Sequence, residues 1–251
     1  TTDAHDLAPW LTDWRGRYHG AAMAMVAPAN TQELAEIVRL ASETGTPIVP
    51  QGGNSGMVGG ATPDSGGSAP LISTRRMNAA RAIDPAARTV VAEAGVVLQT
   101  LHEAVAAQGL RFPLTLGGKG SATVGGLVST NAGGTQVLRH GTMRALVEGL
   151  EAVLPDGSIY NGLATLKKDN RGYDIRHLLV GAEGTLGIVT AATLKLVPAL
   201  IDRAVVWAGV RSPLVARELL LMLEARAGRE MEGFEIVPQR CLANVLHHIP
   251  G

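Results

Sequence analysis

Alternation between apolar and polar positions divides the chain into short elements. Residues 31–44 open with Thr31 as a candidate N-cap, place apolar side chains at helical spacing and stop at Gly45, which predicts an amphipathic helix. The same spacing predicts helices over 97–108, 173–180, 213–227 and 238–247. Short β-rich runs bounded by turn residues predict strands over 47–50, 71–73, 80–83, 88–93, 148–154, 158–160, 188–197, 205–210 and 231–237.

The pattern changes after Pro198. Before it, glycine-rich loops separate the elements, and an Asp156-Gly157 turn joins two runs in a predicted hairpin. After it, the chain repeats strand, helix, strand, helix without such loops. We therefore expect one domain over residues 1–199 and the first, incomplete part of a second domain over 200–251.

Five glycines lie between positions 52 and 60, directly after the predicted strand that ends at Pro50. Glycine permits positive φ, and without Cβ atoms successive backbone N–H groups can converge on one anion. Asn54 and Ser55 can add side-chain donors. The stretch matches neither of the standard glycine motifs for nucleotides, so a structural turn and a phosphate cradle both stay open.

A second glycine-dense region runs from Leu116 to Gly134. Its residues are small and largely polar, so we expect it to surround a ligand instead of forming a core segment. A third cluster of small residues, 181–187, precedes the predicted strand that begins at Ile188.

Composition limits the classes of function. The 251 residues include 22 Lys and Arg and 22 Asp and Glu, so no overall basic field favours nucleic acid or an anionic membrane surface. The single cysteine, Cys241, excludes an internal disulfide and multi-cysteine metal sites. No apolar run reaches the length of a membrane span, and the first residues lack signal-peptide features. We expect a soluble, cytoplasmic protein with no integral membrane segment.

Five motifs occur in order along the chain. They are PQGGNSG at 50–56, LGGKGS with VGG and TNAGG within 116–134, LPDG at 154–157, KKDNRGYD at 167–174 and GAEGTLGIVT at 181–190. Together they resemble the FAD-binding half of the vanillyl-alcohol-oxidase superfamily, and within it the D-2-hydroxyglutarate and D-lactate dehydrogenases. The resemblance implies an α+β fold, a two-lobed FAD-binding domain of the PCMH type followed by the start of an α/β cap domain for the substrate.

The resemblance also implies FAD as the cofactor. Members with covalent flavin use a histidine in the first glycine loop, and none occurs between Gln51 and Gly60, so we expect non-covalent FAD. The first loop would surround the pyrophosphate, the second region the flavin and ribityl chain, and the third the adenine end or neighbouring sugar. The implied cofactor residues are Pro50, Gln51, Gly52, Gly53, Asn54, Ser55, Gly56, Pro113, Gly117, Lys119, Gly120, Ser121, Thr123, Gly125, Gly126, Asn131, Gly133, Gly134, Glu183, Gly184, Gly187 and Ile188.

Simpler roles stay open for some polar residues. Asn131 and Glu183 also suit turn stabilisation, and Lys119 also suits a solvated loop position. His140 fits packing or solvent exposure better than catalysis. The adjacent pair at 247 and 248 lacks the spacing of chelating histidines on one helix face, so no metal ligand is assigned.

The implied reaction is oxidation of a D-2-hydroxy acid to the 2-oxo acid by hydride transfer to flavin N5. Electrons would pass to a quinone, a cytochrome or an electron-transfer flavoprotein, and a homodimer is compatible with this reaction. Family members carry the catalytic base and metal ligands in the cap domain and a C-terminal segment, so no catalytic residue is assigned, and a divalent metal is expected only in a longer protein. A redox-neutral ether-lipid synthase and a catalytically incompetent flavin-binding fragment are the alternatives.

Overall fold

The computed structural model describes residues 1–164, 166 and 168–249. Short 3-10 turns at Ala8–Trp10 and Gly228–Glu230 accompany the regular elements. The helices are α1 (Ala4–Leu7), α2 (Thr31–Thr44), α3 (Leu98–Ala106), α4 (Val124–Ser129), α5 (Val137–His140), α6 (Met143–Leu146), α7 (Ile175–Leu179), α8 (Pro213–Ala227) and α9 (Gln239–His248). The strands are β1 (Met25–Val26), β2 (Val49–Gln51), β3 (Leu71–Ser73), β4 (Ala80–Asp84), β5 (Thr89–Glu93), β6 (Leu110–Arg111), β7 (Val147–Val153), β8 (Ile159–Gly162), β9 (Ile188–Lys195) and β10 (Val197–Pro198).

The first lobe combines helix α2 with a parallel sheet in the order β1-β3-β2. The predicted helix over 31–44 is confirmed, but its N-cap is Asn30, whose side chain accepts a hydrogen bond from the amide of Glu33. Gly45 ends the helix in the left-handed conformation, with φ 63°. The apolar stripe of α2 buries Leu34 and Val38 against the first-lobe core.

The second lobe is an antiparallel sheet in the order β4-β5-β9-β7-β8. The predicted hairpin is confirmed, since β7 and β8 pair with Val153 opposite Ile159. Seven of the eight residues of the central strand β9 are buried, which fits a strand covered on both faces. Helices α3, α4 and α6 supply apolar side chains to the core beside this sheet.

A buried carboxylate joins the two lobes. Glu151 on β7 accepts hydrogen bonds from the hydroxyls of Thr31 on α2, at 2.7 Å, and Thr190 on β9, at 2.8 Å. Arg81 on β4 completes the group at 3.1 Å. Burial alone would raise the pKa of Glu151, but the hydrogen bonds from Arg81 and the two threonines outweigh it and lower the pKa below the ordinary value. The ionised carboxylate therefore stabilises the contact between lobes.

Part of the second glycine-dense region is a core segment, so the prediction that it only surrounds a ligand is wrong for residues 124–128. Val124, Leu127 and Val128 lie on one face of α4 and are buried. Gly125 permits this packing, because a Cβ there would lie 2.7 Å from the Cβ of Ala94. The small residues bring the helix close to the sheet.

Residues 200–249 pack differently. The predicted helices are confirmed as α8 and α9, but the predicted strands over 205–210 and 231–237 are wrong, because neither segment pairs with another strand within the described residues. Among the hydrophobic residues of this region, Ala216 alone is buried. A β-rich run without a partner leaves its backbone and side chains to solvent.

One ionic cluster holds this region to the rest of the protein. Glu232 accepts hydrogen bonds from Arg111 at 3.1 Å, from Arg139 at 3.2 Å, and lies 3.3 Å from Nε2 of His140. Burial would raise the pKa of Glu232, but the hydrogen bonds and charges of its partners, Arg111 foremost, lower it overall. His140 therefore contacts a carboxylate of the C-terminal region, in keeping with a packing role.

Candidate functional site

The first two glycine segments lie against each other. A Cβ at Gly53 would overlap the carbonyl oxygen of Ser121, and a Cβ at Gly52 would overlap Oγ1 of Thr123. Ser55 approaches the second segment as well, since a Cβ on Gly118 would lie 3.8 Å from the Cβ of Ser55. The glycines are thus required for close approach of two loops that are about seventy residues apart in sequence.

The third segment joins this pair. Gly184 packs on Pro50, whose Cγ would lie 2.7 Å from a Cβ at position 184. The amide of Glu183 donates a hydrogen bond to the carbonyl of Ser129 at 2.9 Å, which ties the segment to the end of α4. The structure therefore brings all three predicted segments to one place between the lobes.

Backbone strain concentrates at the same place. Among the described residues, four non-glycine residues have positive φ, and three of them belong to the predicted segments: Asn54 at 51°, Asn131 at 47° and Glu183 at 52°. The fourth is Arg88, at a turn in the sheet. Strained residues cluster at ligand-binding sites because the surrounding structure must hold them in place. The side chain of Asn131 also stabilises a local turn, because its Oδ1 accepts a hydrogen bond from the backbone amide of Arg144 at 2.9 Å.

The N-terminal segment supports the first loop, which the sequence motifs did not indicate. Nε2 of Gln51 donates to the carbonyl of Trp10 at 3.0 Å, and Nδ2 of Asn54 donates to the carbonyl of Thr12 at 2.8 Å. The adjacent Asp13 is buried and accepts hydrogen bonds from the amides of residues 15, 17 and 18, which lower the pKa of its carboxyl, the amide of Tyr18 contributing most. The side-chain nitrogen of Asn54 thus donates its hydrogen bond to another part of the protein, the carbonyl of Thr12.

The remaining predicted residues form two groups, one packed against other parts of the protein and one exposed or half-buried. Pro113, Gly187 and Ile188 are buried, and Ile188 belongs to the core beneath α2. Gly134 packs on the backbone of Thr115, with a Cβ position 2.7 Å from its carbonyl oxygen. Exposed or half-buried positions near the meeting point of the loops are Gly56, Gly117, Lys119, Gly120, Gly126 and Gly133. Lys167, in the fourth motif, and residues 250–251 lie outside the described residues.

The site fits a polar cofactor. Oε1 of Gln51 and Oγ1 of Thr123 are buried and have no hydrogen-bond partner among the described residues. Both residues are 2% exposed, so leaving these oxygens unpaired costs free energy unless a ligand or water supplies a donor. A Cβ at Gly56 or Gly117 would meet no heavy atom within 4 Å, which leaves room along the loops for a bound group.

The fold and the glycine segments together define a flavin-binding domain, and the comparison with known families agrees. The sequence profile of the FAD binding domain matches residues 22–162. The chain therefore belongs to the FAD binding domain family, and FAD is its cofactor.

Curated relatives extend over nearly the whole chain. The D-2-hydroxyglutarate dehydrogenase of Arabidopsis thaliana is 37% identical over 99% of this chain and 44% of its own length. The corresponding protein of Bos taurus is 38% identical over 99% of this chain and 45% of its own length. A D-2-hydroxyglutarate–pyruvate transhydrogenase of Saccharomyces cerevisiae is 34% identical over 98% of this chain and 50% of its own length. The chain thus spans about half the length of these relatives.

A solved structure confirms the fold. The structure of an alkyldihydroxyacetonephosphate synthase superposes with a TM-score of 0.70 and 24% identity, over 79% of this chain and 37% of that chain. The predicted α+β fold of the PCMH-type FAD-binding domain is therefore confirmed. At this identity the likeness bears on fold alone.

The comparisons overturn one prediction. The relatives from Arabidopsis thaliana and Bos taurus are named as mitochondrial proteins, so the expected cytoplasmic location is wrong. Within the described part of the chain, no helix has the length and apolar character needed to cross a membrane.

Proposed function

We propose that this chain forms the FAD-binding part of an enzyme that oxidises a D-2-hydroxy acid of the D-2-hydroxyglutarate or D-lactate class to the 2-oxo acid. The observation that carries the proposal is the meeting of three glycine segments in a chain whose relatives are named as D-2-hydroxyglutarate dehydrogenases. When bound, FAD supplies the hydride acceptor for such a reaction. The ether-lipid synthase alternative rests on structural likeness alone and gains no support from the site.

The protein's own groups would hold and orient the cofactor. Backbone amides of residues 52–56 would suit a pyrophosphate, because glycine amides can converge on one anion. The buried oxygens of Gln51 and Thr123 would accept hydrogen bonds from polar groups of the cofactor. The cofactor would be held without a covalent bond.

Domain limits and partners are part of the same proposal. Residues 1–199 would form the FAD-binding domain and 200–251 the first part of a substrate domain, in keeping with the sharp loss of buried residues after β10. The electron acceptor would be a quinone, a cytochrome or an electron-transfer flavoprotein. Because the relative from Saccharomyces cerevisiae is named for pyruvate, a 2-oxo acid is a further acceptor to test. A homodimer is compatible with this arrangement.

Three glycines give a direct test of the cofactor site. Gly56→Ala and Gly117→Ala add a methyl group where no protein atom lies within 4 Å and φ is not in the left-handed region, so the fold tolerates both. Gly209→Ala meets the same two conditions far along the chain and is the matched control. We expect FAD affinity to fall about tenfold or more in the first two variants and to stay unchanged in the third.

The measurement is the FAD released into the supernatant after acid precipitation, together with a fluorescence titration of the apoprotein. Flavin that stays with the precipitate would contradict non-covalent attachment. Equal affinity in all three variants would contradict the placement of the cofactor along Gly56 and Gly117.

The substrate class is tested on the protein expressed from its complete gene. Under anaerobic conditions, we expect D-2-hydroxyglutarate or D-lactate to bleach the flavin absorbance, and the L-enantiomers to leave it unchanged. A flavin that is bound but is reduced by none of the D-hydroxy acids would contradict the proposed reaction while leaving the cofactor site intact.

A further inference from the structure

Arg144 occupies an unusual position between two of the proposed cofactor segments. It lies in α6 and is half-buried, and its guanidinium donates hydrogen bonds to the backbone carbonyls of His177 and Val180 at the end of α7. Within the described residues it forms no salt bridge. Its positive charge therefore interacts with two carbonyl oxygens at a helix C-terminus, where the partial negative charge of the helix end favours an arginine.

The backbone of the same residue contacts the second segment. The amide of Arg144 donates to Oδ1 of Asn131 at 2.9 Å, and Asn131 has a left-handed backbone. The guanidinium meanwhile lies beside the start of the third segment. A Cβ at Gly181 would lie 3.3 Å from Nη2 of Arg144 and 3.3 Å from the Cβ of Asn131. Arg144 thus contacts the second segment through its backbone, and its guanidinium bonds Val180, the residue immediately before the third segment.

We propose that Arg144 is a positioning residue for FAD, which fixes the third segment relative to the second. This inference rests on the proposed placement of the cofactor between those segments. Arg144 lies outside the sequence motifs, and it touches the cofactor segments instead of the cofactor itself. Its role is to hold residues 181–183, including the strained Glu183, in the orientation that the site requires.

The fold has other bonds to keep the segment nearby. The amides of Gly181 and Glu183 donate to the carbonyls of Val128 and Ser129, at 3.1 and 2.9 Å, and these bonds do not involve the guanidinium. Loss of the guanidinium therefore loosens the orientation of the segment without detaching it. The expected consequence is weaker and less ordered binding of FAD in a domain that still folds.

Arg176 provides a matched control. Its guanidinium is also half-buried and also donates to two backbone carbonyls, those of Val147 at 3.2 Å and Glu148 at 2.8 Å. It contacts none of the three cofactor segments through these bonds. Arg176→Gln removes a comparable set of hydrogen bonds to backbone, and in addition the ion pair with Asp174 at 2.7 Å. Of the two arginines, only Arg144 bonds a residue that adjoins a cofactor segment, Val180.

The experiment measures three quantities in the wild-type chain and in the Arg144→Gln, Arg144→Lys and Arg176→Gln variants: the Kd for FAD, the visible circular dichroism of the bound flavin, and the melting temperature without FAD. We expect about tenfold weaker FAD binding and altered dichroism in Arg144→Gln. Arg144→Lys recovers part of the affinity, because the ammonium can still donate to one of the carbonyls. Arg176→Gln lowers the melting temperature without either effect on FAD.

Two outcomes overturn the inference. An unchanged Kd and dichroism in Arg144→Gln, or the same changes in Arg176→Gln, would show that Arg144 has only a structural role. In both cases the wild-type chain still binds FAD, so the proposed cofactor site stands. A wild-type chain that takes up no FAD would instead overturn the site and this role together.

Discussion

The sheet-based part of the chain and residues 200–249 share the same kinds of predicted element but differ in packing. Both contain amphipathic helices and β-rich apolar runs, and the helices form in both. In β9, seven of eight residues are buried, whereas in α8 a single residue is buried and in α9 none. Apolar periodicity thus predicts which element forms, while burial depends on a second surface that the periodic segment does not itself encode.

A matched pair of leucines tests this difference most strongly. Leu150 on β7 is 0% exposed and lies in the main core, and Leu221 on α8 is 56% exposed. We expect Leu150→Ala to lower the free energy of unfolding by about 3 kcal/mol, because it removes buried methyl groups and leaves a cavity. Leu221→Ala should change it by less than about 0.5 kcal/mol. Urea unfolding measures both, and similar losses would show that α8 is buried in solution.

The buried carboxylate of Glu151 should make the stability of the sheet-based part of the chain sensitive to acid. Its pKa is lowered in the folded state, so the folded protein binds this proton more weakly than the unfolded chain does. The resulting stability is present above the ordinary glutamate pKa of 4.5 and is lost as pH falls through the lower, folded value.

Glu151→Gln removes the charge and keeps an oxygen for the two threonine hydroxyls. We expect a loss of about 2 kcal/mol in the free energy of unfolding at pH 7, since hydrogen bonds to charged groups are the stronger ones. The difference in the free energy of unfolding between the variant and the wild type should become smaller as pH falls below 4.5. Urea unfolding at a series of pH values measures the free energy of unfolding of both proteins. A difference between them that does not change with pH would contradict the ionised state of Glu151.

A substitution at Glu232 tests whether its ionic cluster holds residues 200–249 to the rest of the protein. Glu232→Gln weakens the contacts with Arg111 and Arg139, and we expect residues 228–233 to open more easily by about 1 kcal/mol, the size typical of partly exposed ion pairs. Glu235→Gln is the control, because Glu235 is exposed. Hydrogen exchange of that segment is the measurement. Equal exchange in both variants would show that the ionic cluster does not hold the region in place.

The smallest effect on stability is expected at Trp207, which is 79% exposed. Trp207→Ser should change the free energy of unfolding by less than about 0.5 kcal/mol. Together with its exposed neighbours Val205 and Val206, however, it forms an apolar surface suited to association. Sedimentation velocity over a range of concentrations should therefore show weaker self-association in the variant than in the wild type, and unchanged association would place the contact elsewhere.

Local rules explain why much of this fold was predictable from sequence. The α2 helix carries its own stop signal in Gly45, and the hairpin carries its own turn in Asp156-Gly157. The meeting of the glycine segments followed from the resemblance and from the close approach that glycine permits. The support of Gln51 and Asn54 by Trp10 and Thr12 was not predictable, because backbone carbonyls leave no mark in the sequence.

The strands predicted over 205–210 and 231–237 failed for a related reason. A strand is defined by its partner, and neither segment contains information about whether one is available. No sequence motif indicates Arg144, because its guanidinium also binds backbone carbonyls, those of His177 and Val180. Contacts made through backbone atoms thus account for much of what the sequence did not indicate.

The order of the large sheet has a consequence for how the protein is made. Its central strand, β9, is the last of the five in sequence, yet it lies between β5 and β7. During synthesis the hairpins β4–β5 and β7–β8 can each pair as soon as they emerge, but neither can join the other until residues 188–195 have left the ribosome. Since residues 181–187 immediately precede β9, the sheet and the proposed cofactor site are completed by the same short stretch of chain, residues 181–195.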